Sequence, residues 1–284
     1  MGLTRSLLLS SLLDWVIQKI HHYDGILMSA VSLSTISVVS NDGVVVNSAG
    51  TRVYVTSEFY NRVSVIDTSN NSVNTIPVGS SPKSVAVNSA GTRVYVSNFS
   101  SNSVSVIDTN TNSVINTIPV GRPGDVTVNS AGTLVYVSGV EGVEGIVSII
   151  NTSNNSVSTI SINNDAVVVN SEGTRVYVAS TFYNSVSVID ASNNSVLSTI
   201  SVDHPREIAI NTAGTRVYVT NSMIGNVSVI DTSNNSVVST IPVGDDPNGV
   251  AVFSPPPPPP VVGAIDLNSH AKSVLITREL KTVP

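Results

Sequence analysis

The chain of 284 residues contains no cysteine, which excludes disulfide bonds, thiolate metal sites and cysteine nucleophiles. Charged residues make up only 11% of it, and its 13 lysines and arginines are outnumbered by 19 acidic residues, for a net charge of -6. That balance provides no electrostatic footprint for nucleic acid and no polybasic cluster for anionic lipid. The hydrophobic share of 41% excludes general disorder, so serine, threonine and asparagine must supply the solubility.

Histidine is scarce as well, and its four copies show no metal-ligand spacing. His21 and His22 lie near the N-terminus, His204 stands alone and His270 lies in the C-terminal tail. The chain also lacks the glycine-flanked serine of a nucleophile elbow. No sequence motif therefore indicates a specific enzymatic reaction.

Residues 1–27 allow two interpretations, and the sequence leaves both open. Arg5 precedes a leucine-rich run that is typical of a degenerate signal segment, although Asp14 interrupts the run. Apolar residues also recur at helical spacing from Leu9 to Ile20, which predicts a short amphipathic helix. The segment is too short and too polar to span a membrane, so we expect no transmembrane span.

The most informative pattern is a unit that repeats five times with a constant period of 41 residues. Its clearest mark is Gly-Thr-Arg-Val-Tyr-Val, whose glycine falls at Gly50, Gly91, Gly132, Gly173 and Gly214. A fixed period of this length indicates a repeat architecture, in which each unit is one supersecondary element.

The second unit shows what each repeat folds into. Alternating β-branched and polar residues predict four short strands, at residues 85–87, 92–97, 104–107 and 114–120. Asn88 and Gly91 bound the first turn, where both residue types tolerate a positive φ. Four antiparallel strands in a unit of this length are typical of a β-propeller blade. We therefore predict an all-β propeller over residues 28–254, with five regular blades.

The strand motifs resemble a known family. The tract Tyr-Val-Ser/Thr-Asn occurs at residues 95–98 and 218–221, together with Val-Ser-Val-Ile-Asp and Thr-Ile-Pro-Val-Gly. These motifs resemble the YVTN-type β-propeller repeat of surface-layer and periplasmic proteins, over about residues 31–253. The resemblance implies a radial array of blades, an extracellular, cell-surface or periplasmic location, and a role in surface layers, adhesion or interaction. The third unit departs most, with Leu134, Gly139, Asn151 and a loop longer by two residues.

The two ends of the repeat array predict a sixth, composite blade that closes the ring. Residues 31–38 match a fourth strand, and residues 246–253 match a first strand. Six prolines at residues 255–260 cannot form a central strand and predict a polyproline II spacer. Residues 261–284 then contribute further strands, at 261–266 and 273–280. The alternative is a linker to a lost or shortened downstream module, which leaves the ring incompletely closed.

Two acidic residues are the candidate metal ligands. The first strand of each blade lines the central channel, and the aligned positions at its mouth are Gly43, Ser84, Asp125, Ala166, Glu207 and Gly249. Only Asp125 and Glu207 are ionisable, and oxygen ligands suit Ca²⁺ or Mg²⁺. The alternative interpretation is that both are solvated loop charges.

A second set of candidates lies in the loops that share a face with the channel mouth. Phe59-Tyr60 and Phe182-Tyr183 occupy equivalent loops of the first and fourth units, and Arg122, His204 and Arg206 lie in nearby loops. Exposed aromatic side chains suit a protein or glycan partner. Duplication alone would also explain why the aromatic pair occurs twice.

Two charged series follow the repeat, and both have structural interpretations. An aspartate begins each turn of the Thr-Ser-Asn-Asn-Ser type, where it accepts backbone N–H groups, at Asp67, Asp108, Asp190 and Asp231. An arginine opens the second strands at Arg52, Arg93, Arg175 and Arg216, and we expect it to make polar contacts along or between blades.

The sequence thus favours a non-enzymatic propeller that acts as a cell-surface or envelope scaffold without a cofactor. Its repeats are nearly uniform, and enzymes generally break repeat symmetry at the reacting site. The alternative is a metal-dependent, lactonase-like hydrolase or lyase that uses Asp125 and Glu207 at the channel mouth, with Ca²⁺ or Mg²⁺ as cofactor.

Overall fold

A computed structural model describes residues 43–252 and 273–276 of the chain. Within them, five four-stranded antiparallel sheets follow one another, and each is a meander in chain order. The first blade comprises β1 (Val44–Val46), β2 (Arg52–Ser57), β3 (Arg62–Asp67) and β4 (Val73–Pro77). The second comprises β5 (Pro82–Val87), β6 (Arg93–Asn98), β7 (Ser103–Asp108) and β8 (Ser113–Pro119).

The remaining blades repeat this order. The third comprises β9 (Arg122–Val128), β10 (Leu134–Glu141), β11 (Glu144–Asn151) and β12 (Val157–Ser161). The fourth comprises β13 (Ala166–Val169), β14 (Arg175–Ser180), β15 (Ser185–Asp190) and β16 (Ser195–Ser201). The fifth comprises β17 (Pro205–Ile210), β18 (Arg216–Asn221), β19 (Asn226–Asp231) and β20 (Ser236–Pro242). The predicted all-β propeller with five regular blades is confirmed.

The hydrophobic core consists of layers between successive blades. Four clusters of buried side chains join blades 1 and 2, 2 and 3, 3 and 4, and 4 and 5. The tyrosines of blades 1 to 4 lie in these layers, and Tyr54, Tyr136 and Tyr177 are at most 1% exposed. Burying a valine or isoleucine here stabilises the fold by about 1.5–3 kcal/mol, so the valine-rich strands account for the blade stacking.

Blade 1 presents the contrasting case. Its first-strand residues Val44 and Val46 are 49% and 51% exposed, whereas the equivalent Val85 of blade 2 is 6% exposed. Val85 is covered because it packs in the layer between blades 1 and 2. The outward face of blade 1 therefore has no comparable cover among the residues that the structure describes.

An asparagine fixes the turn between the first and second strand in each of the five described blades. In blade 2 the Asn88 Oδ1 accepts the N–H groups of Thr92 and Arg93, at 2.9 and 3.0 Å, and its amide donates to the Thr92 hydroxyl. Gly91 completes the turn with φ of 67°, a left-handed value that glycine adopts without steric cost. These local bonds explain the Asn-Ser-Ala-Gly-Thr tract of the repeat.

The predicted role of the aspartate series is confirmed at the turn after the third strand. The Asp67 Oδ1 accepts the backbone N–H of Ser69 at 2.9 Å and the Ser69 hydroxyl at 2.5 Å. The hydroxyl and then the backbone N–H of Ser69 lower the pKa of Asp67 below its usual value. Asp67 is thus committed to its own turn, on the side of the ring opposite the loops between second and third strands.

The arginine series makes polar contacts both along and between blades, as expected. Ion pairs join arginine and aspartate across neighbouring strands at Arg93–Asp108 (2.5 Å), Arg175–Asp190 (3.5 Å) and Arg216–Asp231 (2.8 Å). Arg52 instead donates to the Thr109 carbonyl of the next blade at 2.5 Å. Blade 3 replaces both members of the pair, since Leu134 lies opposite Asn151.

Buried hydroxyl groups join neighbouring blades. In blade 2 the first strand bulges, and the freed Ser84 N–H donates to the Ser97 hydroxyl at 2.9 Å. That hydroxyl donates in turn to the Gly124 carbonyl of blade 3 at 2.6 Å. Thr56 and Ser138 make the same bond to blades 2 and 4, at 3.1 and 3.2 Å.

Blade 4 has no hydroxyl at this position, and a hydroxyl from another position of the blade bonds to blade 5. Ala179 stands where the other blades have serine or threonine, and its carbonyl accepts the Asp165 N–H directly, at 2.8 Å. The Thr181 hydroxyl then donates to the Pro205 carbonyl of blade 5 at 2.6 Å. A hydroxyl-to-carbonyl bond therefore crosses each of the four interfaces between the five described blades.

A second chain of bonds joins the blades at their first turns. The Ser48 hydroxyl donates to the Ser89 carbonyl at 2.9 Å, and Ser89 donates to Ser130 at 2.6 Å. Ser130 donates to the Ser171 carbonyl, whereas the Ser171 hydroxyl turns to Glu172 of its own blade at 3.0 Å. Each of the three bonds between blades spans 41 residues, so the repeat period itself positions donor and acceptor.

The sixth unit departs from the antiparallel meander of the five regular blades. β21 (Gly249–Val252) pairs in parallel with β22 (Ser273–Ile276). A strand within residues 273–280 is confirmed. Parallel neighbours need a connection of about a dozen or more residues, and residues 253–272 are long enough to provide it. The predicted strands at 31–38 and 261–266, the N-terminal segment 1–27 and the spacer 255–260 lie outside the described residues.

Replacing Ser97 by alanine tests the inter-blade hydroxyl bond. The change leaves the Ser84 N–H and the Gly124 carbonyl without their buried partner, so we expect a loss of about 1–3 kcal/mol in the free energy of unfolding. Ser239→Ala, on an exposed outer strand, is the matched control and should change it by less than about 0.5 kcal/mol. Equal effects in urea denaturation would contradict the assignment.

Candidate binding face and channel carboxyls

The antiparallel meander divides the connections of each blade between two sides of the ring. The loops between second and third strands and the linkers between blades lie on one side, which we call the loop face. It comprises residues 58–61, 99–102, 142–143, 181–184 and 222–225 and the linkers 78–81, 120–121, 162–165, 202–204 and 243–248. The turns after first and third strands lie on the opposite side, which we call the turn face.

Asp125 lies in the middle of the inner strand of blade 3 and bridges three blades. Its Oδ1 accepts the Ser84 hydroxyl of blade 2 at 2.8 Å and its neighbouring Val126 N–H at 2.8 Å. Its Oδ2 accepts the Val167 N–H of blade 4 at 3.0 Å. Each side-chain oxygen therefore already has a protein donor, which favours a structural role for this carboxyl.

Glu207 occupies the equivalent position of blade 5 and is far less engaged. Its backbone N–H donates to the Thr220 hydroxyl at 2.9 Å, whereas its Oε1 receives only a long bond from Ile208 N–H, at 3.5 Å. Glu207 is partly buried. Within residues 43–252 and 273–276, it has no equivalent of the Ser84 and Val167 donors that hold Asp125.

The channel disfavours charge on both carboxyls. Burial raises the pKa of Asp125 above its usual value, and the donors Val167, Ser84 and Val126 oppose that rise. Burial and then repulsion by Asp125 raise the pKa of Glu207 well above its usual value, against the opposing effects of the Ile208 N–H and Arg206. Asp125 and Glu207 therefore lie close enough to repel each other electrostatically.

The metal interpretation of these two residues stays a prediction. No cluster of three or more histidine, cysteine, aspartate or glutamate side chains suited to a metal ion occurs within residues 43–252 and 273–276. Ca²⁺ takes six to eight oxygen ligands and Mg²⁺ about six. Asp125 and Glu207 would have to be joined by backbone carbonyls and water to reach that number.

The predicted aromatic residues lie on the loop face and are exposed. Phe59 is 81% and Tyr60 55% exposed, and Phe182 and Tyr183 are 80% and 60% exposed. The rings of Phe182 and Tyr183 meet edge to face, with centroids 5.0 Å apart. In blade 1 the Arg62 guanidinium instead lies over the Tyr60 ring, 4.8 Å from its centroid.

The other blades carry exposed apolar residues in the same loops, and sequence reasoning missed them. Met223 and Ile224 of blade 5 are 76% and 49% exposed, Val143 of blade 3 is 96% exposed and Phe99 of blade 2 is 38% exposed. Met223 and Ile224 follow Phe182 and Tyr183 by one period of 41 residues. Alignment of the repeats was therefore a signal that could have identified them, although aromatic character alone could not.

The three cationic candidates differ in their surroundings. Arg122 and Arg206 are exposed, and Arg206 lies close enough to Glu207 to lower its pKa. His204 is only partly exposed: its N–H donates to the Asn184 Oδ1 at 3.0 Å and its carbonyl accepts the Ser222 N–H at 3.1 Å. His204 adopts φ of 43°, so it shapes the linker between blades 4 and 5.

No family model and no curated protein matches the chain. Among solved structures, it is similar to the Cps50 (Swd1) β-propeller domain of Myceliophteria thermophila, with a TM-score of 0.62 and 11% identity over 71% of this chain and 69% of the other. It is similar to a chain of a nidogen/laminin complex, with a TM-score of 0.58 and 10% identity over 71% and 80%. Hydrazine synthase of Kuenenia stuttgartiensis gives a TM-score of 0.55 and 15% identity over 78% and 91%.

These likenesses establish the propeller fold and nothing finer, because the sequence identities are low. They leave the resemblance to the YVTN-type repeat as a resemblance of motifs. Among the described residues, no helix is long and apolar enough to cross a bilayer.

Replacing Glu207 by glutamine tests the channel electrostatics. The raised pKa means that the folded chain keeps a proton that the unfolded chain releases, so the stability of the native protein should fall as pH rises from about 4.5 through the raised value. The Glu207→Gln variant lacks this fall and should gain on the order of 1 kcal/mol at pH 7. The measurement is urea denaturation between pH 4 and pH 8.

Glu144→Gln is the matched control, because it removes the same charge from an exposed hairpin tip. It should keep the pH dependence of the native protein. A Glu207→Gln variant with the native pH dependence, or one less stable at pH 7, would refute the channel assignment.

Proposed function

We propose that this protein is a non-enzymatic interaction scaffold that binds a partner protein through its loop face. The observation that supports this proposal most directly is the set of exposed apolar side chains in the loops between second and third strands. All five described blades contribute to it, and Phe59, Phe182, Met223 and Val143 are each at least 76% exposed. Exposed apolar groups on one side of a rigid scaffold are typical of a protein interface.

The turn face supports the same assignment by contrast. Its turns are built from asparagine, serine, threonine, aspartate and glycine, and side chains such as Asn88 and Asp67 bond to their own turns. The large apolar side chains of the ring's two ends are thus concentrated on the loop face. An interface requires apolar anchors that exclude water, and the loop face supplies them.

The location that we propose is the cell surface or the envelope. The motif resemblance to YVTN-type repeats supports it, as does a surface rich in serine, threonine and asparagine. One solved structure of similar fold is a nidogen/laminin complex, which is an assembly of two proteins. This similarity of fold supports a role in protein interaction, and it does not identify a partner for this chain.

Site-specific photo-crosslinking tests the proposed face. A photoreactive phenylalanine analogue is placed at Phe182 or Met223 on the loop face, and at Ala90 or Ala131 on the turn face, in the cells that make the protein. Both alanines are exposed, so the two pairs of positions are equally accessible to a partner. We expect discrete protein adducts at Phe182 and Met223 and none at the alanines.

Adducts at all four positions, or at none, would contradict a protein interface on the loop face. Adducts that glycan-removing enzymes dissolve would indicate a glycan partner instead.

A further inference from the structure

The loop face is not uniform, because its acidic residues are concentrated on blades 3, 4 and 5. Six exposed carboxylates lie on that side, and none of them forms an ion pair within residues 43–252 and 273–276. They are Glu141, Glu144, Asp165, Asp203, Asp245 and Asp246. Arg122 and Arg206 are the basic residues of the same sector, which leaves it with excess negative charge.

Blade 1 presents the same aromatic pair without this excess. Its loop residue Glu58 is bound to Lys83 with an Nζ–Oε1 distance of 2.9 Å. The Arg62 guanidinium covers one face of Tyr60, at 4.8 Å from the ring centroid. The charges around Tyr60 are thus balanced within the chain, and a cation already occupies the ring.

On blades 4 and 5, by contrast, carboxylates lie beside the apolar side chains. The Asp165 Oδ2 accepts the Thr181 N–H at 2.6 Å, next to Phe182. Asp203 precedes His204, whose N–H is bound to Asn184 in the loop of Tyr183. Gly225, which follows Ile224, lies against the carbonyl of Gly244, directly before Asp245.

We propose that the sector of the loop face formed by blades 3, 4 and 5 binds a protein segment that carries lysine or arginine beside a large apolar side chain. This inference rests on the proposed function and specifies the chemistry of its partner. Apolar side chains of the segment cover Phe182, Tyr183 and Met223, and its cations meet the surrounding carboxylates. We call these residues and carboxylates together the acidic sector.

Charge complementarity decides between the kinds of partner. An acidic segment or an anionic bilayer is repelled by six unpaired carboxylates, whereas a basic segment is attracted and steered by them. The uncovered edge-to-face pair of Phe182 and Tyr183 also offers a ring face to a cation. A neutral apolar partner would bury these carboxylates without compensation, which costs free energy.

Selection from a random 12-residue peptide library displayed on phage tests the proposal with the intact chain. We expect the selected peptides to be enriched in lysine or arginine together with an aromatic or large aliphatic residue. A synthetic peptide of the selected sequence then serves as the probe in fluorescence anisotropy. Its binding should weaken as the salt concentration increases, because the exposed charges are screened.

Two pairs of variants separate the acidic sector from general attraction to an acidic protein. Phe182→Ala/Tyr183→Ala should weaken the selected peptide by about tenfold or more, since it removes the apolar anchors. Its matched control, Val196→Ala/Leu197→Ala, removes exposed apolar side chains from the outer strand of blade 4, outside the loop face, and should change the dissociation constant less than about twofold.

The second pair alters charge alone. Glu141→Gln/Asp203→Asn/Asp245→Asn should weaken binding by about tenfold through slower association. Asp108→Asn/Asp190→Asn/Asp231→Asn removes three charges from the turn face and should have less than about a twofold effect. Thermal melting of every variant establishes that a loss of binding is not a loss of fold.

The outcomes distinguish this inference from the proposed function. Selected peptides without basic residues, or equal losses in the control variants, would overturn the cationic partner even if cross-links at Phe182 support a loop-face interface. Failure to select any peptide, together with an identified cross-linked partner whose binding is insensitive to salt, would overturn it as well.

Discussion

The hydrogen bond from a buried hydroxyl to the first strand of the next blade is the interaction on which the ring depends. Valine packing between blades is non-directional, so it holds neighbouring sheets together without fixing their relative position. The hydroxyls of Thr56, Ser97 and Ser138 provide that direction, because each accepts an N–H of its own blade and donates to the neighbour. The Asp125 carboxyl adds a hydrogen-bonded bridge across blades 2, 3 and 4.

These bonds distinguish the residues that stabilise the fold from the loop residues that remain available for binding. Polar groups of the inner strands, the turn face and the inter-blade layers form hydrogen bonds within the protein, as in the turns at Asn88 and Asp67. The loops between second and third strands contribute few of these bonds, and their apolar side chains stay exposed. Sequence changes in these loops therefore alter the surface while the blades beneath them keep their geometry.

The sequence predicted the blades well because the relevant physics is local and repeated. Strand alternation, the Asn-to-Gly turns and the aspartate turns each act within a few residues, so a period of 41 specified all of them. The parallel pairing of β21 with β22 was not predicted, because pairing across a long connection leaves no local signal.

The candidate site was harder to predict, for a related reason. Asp125 and Glu207 share one repeat position, and the sequence treated them alike. Their difference comes from neighbours 41 and 42 residues away: Ser84 and Val167 donate to Asp125. Phe182 and Tyr183 were identified from their aromatic character, whereas Met223 at the same position was missed because exposure, not residue type, marks it.

The central claim is that the apolar residues of the loop face serve binding and not folding. A protease-resistance scan of all single substitutions, in a displayed form of the chain, measures this without knowledge of a partner. The account predicts strong losses of stability at Ser97, Asn88 and their repeat equivalents, and changes below about 0.5 kcal/mol for polar substitutions at Phe59, Phe182 and Met223. Losses at these exposed residues as large as those at Ser97 would contradict it.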